Sequence, residues 1–314
     1  MPKGAVDSDW LKKQVRSLTD LGDKFNDSGP VIEYGPYTLL KLICVSYYAP
    51  MFAKIARGPS AKTQGYDGAV YVDLFAGPGI VRVAQTGDRV AGSPIAATCS
   101  RFRFDYSVLV EISQSSSRIL QSRLESFLSK DEFAVIQGDC NTRVGDIIQL
   151  IRSRFDRPII FAFVDPEGME AKWKTVEAMS GAVPNLDFMI NVTTGASRVA
   201  GRLGSGMMGD KPIFEDFFGA KAEEILPRIS QGEQVQDVYG NAVRSVLGKP
   251  VGETIPIRQT GQRIVYHLLA YTRASLTGSP WAAGFKALKE HIEPADGEMA
   301  QAVLDVVKGR QAEL

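Results

Sequence analysis

The sequence predicts an α/β protein with a doubly wound, mostly parallel sheet. Three observations carry that expectation. Five short apolar runs follow one another, at residues 69–74, 107–111, 133–136, 159–164 and 186–191. Amphipathic stretches at about 94–102, 114–128, 143–155 and 171–180 separate them. Glycine or polar residues stand where the first four runs end. Strands buried on both faces read as continuous apolar runs. Their regular alternation with helices implies parallel strands joined by right-handed crossovers.

Other elements follow in order. Residues 1–33 are mixed and charged. Asp9 is a candidate cap for a helix through Leu21, and the 26–30 stretch breaks it. A stronger helix has Leu39, Leu40, Leu42, Ile43, Tyr47 and Phe52 at helical spacing and stops near Arg57-Gly58-Pro59. Residues 64–68 read as a linker. A Gly/Ser/Thr-rich segment follows Asn191, and 212–248 look helical. Runs at 255–258 and 264–272, joined by a turn at Gly261, predict an antiparallel hairpin at the sheet edge. These would complete seven strands. The tail, 280–310, reads as helical. The expected division is an N-terminal helical extension (1–65), an α/β domain (66–275) with a helical insertion at about 198–250, and a C-terminal helical tail (276–314).

Composition narrows the function classes. The 314 residues are 44% hydrophobic and 23% charged, the profile of a globular protein. Thirty-six basic residues balance thirty-six acidic ones, so net charge gives no argument for a polyanionic partner. Cys44, Cys99 and Cys140 are far apart, and His267 and His291 are the two histidines, so neither a metal site nor a disulfide framework is expected. The N-terminus lacks a signal-peptide core, and no apolar run is read as long enough to span a membrane. The expectation is a cytoplasmic protein without membrane contact.

Ligands of an open parallel sheet bind at the carboxyl ends of its strands. The first run ends in Asp73-Leu74-Phe75-Ala76-Gly77-Pro78-Gly79. A dinucleotide loop reads G-x-G-x-x-G, but the position three after Gly79 is Arg82. A carboxylate before the glycines suits the cationic amino-acid end of S-adenosylmethionine better than a pyrophosphate. Glu111, ending the second run, is placed to accept ribose hydroxyls. Asp139, after the third, is placed to meet an adenine amine with Cys140 against the ring, or else Asp139 or Asn141 caps a helix. Asp165-Pro166-Glu167-Gly168 ends the fourth.

These segments, with Gly92-Ser93-Pro94-Ile95-Ala96-Ala97 and the helix carrying Lys41 and Tyr47-Tyr48, resemble the three-Cys-motif partner protein family over about residues 36–275. That family is similar to class I S-adenosylmethionine-dependent methyltransferases. The resemblance implies a Rossmann-like sheet and an S-adenosylmethionine cofactor held by Asp73, Phe75, Ala76, Gly77, Gly79, Ser93, Glu111, Ile112, Asp139, Cys140, Asn141 and Asp165. It places Asp165, Pro166 and Glu167 at the reacting centre, and it implies a methyltransferase. The alternative is a non-catalytic cofactor-binding partner of a three-cysteine-motif protein. Amino-directed nucleic-acid methyltransferases carry Asp/Asn-Pro-Pro-aromatic where this chain has Asp-Pro-Glu-Gly, which argues against adenine or cytosine amino methylation.

Two segments bear on the acceptor. Residues 34–66 interleave Lys41, Lys54, Arg57 and Lys62 with Tyr34, Tyr37, Tyr47, Tyr48, Phe52 and Tyr66 and contain no acid before residue 67. They are a candidate nucleic-acid surface, or aromatics packed on the sheet beneath solvated charges. Residues 193–211, with five glycines and Arg198, Arg202 and Lys211, are a candidate substrate lid or a disordered loop.

Overall fold

A computed structural model describes residues 6–183, 185–248, 251–272 and 279–313. The boundary expected at 275/276 lies outside the described residues, as do residues 1–5 of the N-terminus. The chain opens with α1 (Ser8–Gly22), capped by Asp7, whose carboxylate accepts from the Trp10 N–H at 3.0 Å. Asp9 sits inside the first turn, so the cap is two residues earlier than expected. After β1 (Ile32–Tyr34) comes α2 (Thr38–Ala56). Gly58-Pro59 ends α2 but starts a short α3 (Pro59–Thr63), because proline's missing N–H costs nothing in a first turn.

The alternating region runs β2 (Gly68–Asp73), β3 (Ile80–Val83), β4 (Arg89–Ala91), α4 (Ser93–Thr98), β5 (Tyr106–Glu111), α5 (Gln114–Glu125), β6 (Phe133–Gln137), α6 (Cys140–Arg152), β7 (Pro158–Val164), α7 (Trp173–Ala182) and β8 (Leu186–Thr193). Four helices follow: α8 (Gly195–Gly204), α9 (Lys211–Phe218), α10 (Ala222–Ser230) and α11 (Val235–Leu247). The hairpin β9 (Val251–Arg258) and β10 (Ile264–Thr272) comes next, then α12 (Pro280–Ile292) and α13 (Gly297–Val307).

Seven strands form the main sheet in the order β6-β5-β2-β7-β8-β10-β9. The first five are mutually parallel, and β10 runs antiparallel to both its neighbours. This is the doubly wound, Rossmann-like class that the sequence predicts, with its antiparallel C-terminal hairpin. The order reverses at β2, which has β5 on one side and β7 on the other. A crevice opens at such a switch point. Strand alternation divides the core between two faces. Tyr71, Leu109, Phe161 and Phe163 pack with residues of α1, α2, α4, α5, α12 and α13. Val70, Val72, Ile160 and Ala162 pack with residues of α6 to α11.

Three features differ from the expectations. A second sheet, β1-β3-β4, inserts a hairpin between the glycine loop and α4 and pairs it with the N-terminal segment. The run Thr38–Ala56 is long and apolar enough to cross a membrane, contrary to the sequence reading, but two thirds of it is buried within the fold. Tyr48 in that helix stacks on Phe285 at 3.9 Å and donates to Asp187 Oδ2 at 2.8 Å. Together with the burial of Phe52 and Lys41, this removes the middle of the candidate nucleic-acid surface. Finally, the glycine-rich segment after β8 is helical in α8. Ala196, Val199, Ala200 and Leu203 recur at helical spacing and are buried, so residues 195–204 form a packed helix and not a disordered loop.

Candidate functional site

The loop after β2 is shaped by its glycines. Gly77 and Gly79 have φ of 60° and 85°, a region side chains disfavour. A Cβ at Gly79 would also meet Ile95 and Leu120 at 2.9 Å. The loop is clamped from behind by Arg123, which is almost fully buried. Its guanidinium binds both oxygens of Asp27, at 2.9 and 2.6 Å, and donates to the carbonyls of Pro30 and Pro78 at 3.0 and 2.6 Å. One side chain thus ties the N-terminal segment to the glycine loop, and β1 completes the wall above it.

Asp73 departs from its expected place. It is fully buried and is not on the cleft wall. Its carboxylate accepts from Tyr71 Oη at 3.0 Å and from the Phe75 N–H at 3.2 Å, and Ser93 bonds it as well. Burial pushes its pKa up to about 7, against the pull of those donors. Asp73 and Ser93 therefore brace the loop, and Asp73 does not face a ligand in the cleft.

Over the loop lies a cleft of about 550 Å³, within the usual range for small-molecule sites. It gathers Phe75, Ala76, Gly77, Gly79, Ser93, Glu111, Ile112, Asp139, Cys140, Asn141, Asp165 and Glu167. Glu111 Oε2 accepts from the Gly77 N–H at 2.8 Å and Oε1 from the Ser113 N–H at 2.7 Å. An ionised carboxylate has about four acceptor positions, so two remain open. Ile112 is 68% exposed at the rim, an apolar surface without a protein partner over most of its area. Asp139 caps α6, accepting from the Asn141 N–H at 2.9 Å and Nδ2 at 2.8 Å. Asn141 in turn donates to Glu170 O and accepts from the Lys172 N–H and Thr175 Oγ1. Asn141 is thus a bracket between the loops after β6 and β7, and Asp139 holds it in place. Burial pushes the Cys140 thiol up to about 12, which leaves it an apolar wall group and no nucleophile.

At the far end the cleft meets α2. Lys41 Nζ lies 2.6 Å from Asp165 Oδ2, and both side chains are largely buried. The ammonium also sits over the rings of Tyr34 and Tyr266, 5.6 and 5.2 Å from their centroids. Asn191 at the end of β8 donates to Asp165 Oδ1 at 2.9 Å and to the Pro166 carbonyl at 3.1 Å. Tyr34 Oη donates to Glu167 Oε1 at 2.8 Å. Burial and the Glu167 charge push the Tyr34 phenol above its ordinary pKa, so it remains a donor. Pro166 is buried and offers its carbonyl to Asn191, so it shapes the loop.

A second, more polar cleft of about 340 Å³ adjoins the first and shares Tyr34, Thr38, Lys41, Asp165 and Glu167 with it. Its other walls include Pro166, Asn191, Arg198, Arg263 and Tyr266. Sequence reasoning did not place Lys41, Tyr34, Asn191 or Arg123 in the site. Lys41 carried the one usable signal, a lone charge within a run of apolar helical residues.

No sequence-family model matches the chain, and no curated protein matches it. Solved structures with a similar fold include the Pyrococcus horikoshii protein Trm1 in complex with S-adenosyl-L-methionine, at 10% identity and TM-score 0.39, covering 80% of this chain and 58% of that one. Spermidine synthase from Thermotoga maritima has 10% identity and TM-score 0.36, covering 85% and 72%. A Legionella pneumophila protein has 12% identity and TM-score 0.44, covering 80% and 94%. At such identities and scores the function has to be argued from the site.

Proposed function

We propose that the chain binds S-adenosylmethionine in the larger cleft and transfers its methyl group to an acceptor in the smaller one. The observation that carries this reading is the composition of the larger wall. Five acids, Glu111, Asp139, Asp165, Glu167 and Glu170, face two cations, Lys41 and Lys172, and Lys172 is paired with Asp216 at 2.8 Å. No arginine lies on that wall among the described residues. Such a surface repels a pyrophosphate and attracts a cationic nucleoside.

The residues present fit that ligand. Glu111 has open acceptor positions for two ribose hydroxyls, and Ile112 and Cys140 offer apolar surface to a base. Gly77 and Gly79 put no side chain between the loop backbone and a ligand at those two positions. Lys41, where the clefts meet, would take the carboxylate of the methionine part. The sulfonium supplies an already activated methyl group, so alignment and exclusion of water are what the protein must add. Asp165 does the aligning. Lys41 and Asn191 fix its two oxygens, and its remaining lone pairs face an acceptor N–H or O–H. Glu167, held by Tyr34, borders the same space.

A second reading rests on the same ion pair. With Asp165 neutralised by Lys41, the chain would hold the cofactor without catalysis and serve a three-cysteine-motif partner protein. Calorimetry with S-adenosylmethionine, S-adenosylhomocysteine and NAD tests the binding claim. The expected result is a dissociation constant on the order of micromolar for the first two and no heat with NAD. Label transfer from methyl-labelled cofactor to total nucleic acid or protein, abolished by Asp165→Ala, supports the enzyme. Binding without transfer supports the second reading.

A further inference from the structure

We propose that the smaller cleft takes a phosphomonoester as methyl acceptor, its phosphate held by Arg198 and Arg263 and an N–H or O–H of the same molecule donated to Asn191 Oδ1. This rests on the donor reading above and adds the acceptor's chemistry. Arg198 rises from α8 and Arg263 precedes β10, and both line this one cleft. Neither forms an ion pair or a side-chain hydrogen bond with a described residue. Of the two acids of the cleft, Asp165 is paired with Lys41 and Glu167 accepts from the neutral Tyr34, and neither is paired with an arginine among the described residues. Both arginines are exposed at the mouth of the cleft, and both guanidiniums are open to a ligand. A monocarboxylate needs one such partner, whereas a phosphomonoester carries nearly two charges and three oxygens that match two planar forks.

Asn191 is the independent observation. It is 4% exposed, and its Oδ1 is buried without a hydrogen-bond partner. The amide cannot be turned over, because Nδ2 faces the Asp165 carboxylate and the Pro166 carbonyl, both acceptors. An acceptor atom so buried and unbonded is costly unless a ligand donor meets it. It lies against Asp165, so an N–H or O–H bound there is next to the group that aligns the acceptor. The acceptor's nitrogen or oxygen would bond to the methyl carbon as the S–CH3 bond breaks, the sulfur would keep that electron pair, and the acceptor's proton would pass to Asp165.

The test uses ligand-observed NMR on the full chain with ribose 5-phosphate, ribose and succinate as probes, S-adenosylhomocysteine filling the larger cleft. Ribose 5-phosphate should bind, and ribose and succinate should bind much more weakly. Arg198→Gln and Arg263→Gln should each weaken ribose 5-phosphate by about tenfold, the effect of losing one charge-assisted hydrogen bond. Affinity for S-adenosylhomocysteine should stay unchanged in both variants, which also shows that they fold. Equal binding of ribose and its phosphate, succinate binding as tightly, or unchanged affinity in both variants overturns the proposal. A 5′-phosphorylated oligoribonucleotide compared with ribose 5-phosphate separates the two sources of such a group. Tighter, arginine-dependent binding of the strand assigns a polymer end, and no gain assigns a free metabolite. If S-adenosylhomocysteine does not bind while the arginine dependence persists, the donor reading fails and the anion site stands.

Discussion

The two clefts share a wall of five residues and differ in almost everything else. The larger is lined by backbone, glycines and strand-end acids that already bond to the protein: Glu111 to Gly77 and Ser113, Asp139 to Asn141. The smaller is lined by side chains that reach in from four separate parts of the chain, and some of them have no partner among the described residues. The first is built by local geometry at a switch point, and its shape comes with the fold. The second exists through tertiary assembly, because α2, α8, the β7 loop and the β9–β10 connection must all be in place. The larger cleft is therefore set by the sheet, whereas the smaller is set by what is added to it.

Breaking the assembly above the glycine loop should have the largest effect. Arg123→Met leaves Asp27 with Arg89 alone, 3.7 Å away, and releases the Pro30 and Pro78 carbonyls. Urea denaturation should show a loss of about 3–5 kcal/mol, mostly from two carbonyls left without a donor and from the lost packing, since Asp27 is a third exposed. A loss near zero would mean that Arg89 and the β1–β3 pairing hold the segment without Arg123.

Asp73 probes the floor of the same cleft. Its folded pKa of about 7 stands above the ordinary 3.8, so the neutral acid is favoured in the folded state. Its contribution to stability is complete below pH 3.8 and is lost as pH rises through about 7, an effect of up to about 4 kcal/mol. In Asp73→Asn that part of the pH dependence should vanish. A wild-type stability curve that does not fall between pH 4 and 8 relative to the variant contradicts the burial argument.

The shared wall comes next. Lys41→Met strands the Asp165 charge and should cost about 3 kcal/mol, while adding Asp165→Asn should recover much of that loss. A double-mutant cycle without coupling would show that the pair is not one unit. Smallest is Ile112→Ser at the rim. Cofactor affinity should fall by about 1 kcal/mol for the lost apolar contact, with thermal stability unchanged because the side chain is mostly exposed.

The contrast between the clefts also explains what could be read in advance. Phe75 to Gly79, Glu111-Ile112 and Asp139 to Asn141 each directly follow an apolar run, so their common rim was legible from the order of strands. Lys41, Tyr34 and Asn191 lie far apart in the chain, and no local pattern states that they meet. The strands β1, β3 and β4 have three or four residues each, too few for alternation to show. In α8 the glycines hid a helical apolar stripe. An acid after β2 was visible, but its direction was not. Tyr71, two residues earlier on the same strand face, turns Asp73 inward.

The most direct test of the donor cleft is a crystal structure with S-adenosylhomocysteine. Electron density should run from Ile112 and Glu111, at the nucleoside end, to Lys41, at the carboxylate end, with Asp73 untouched beneath the loop. Density confined to the smaller cleft, or a nucleoside contacting none of Glu111, Ile112 and Lys41, would contradict it.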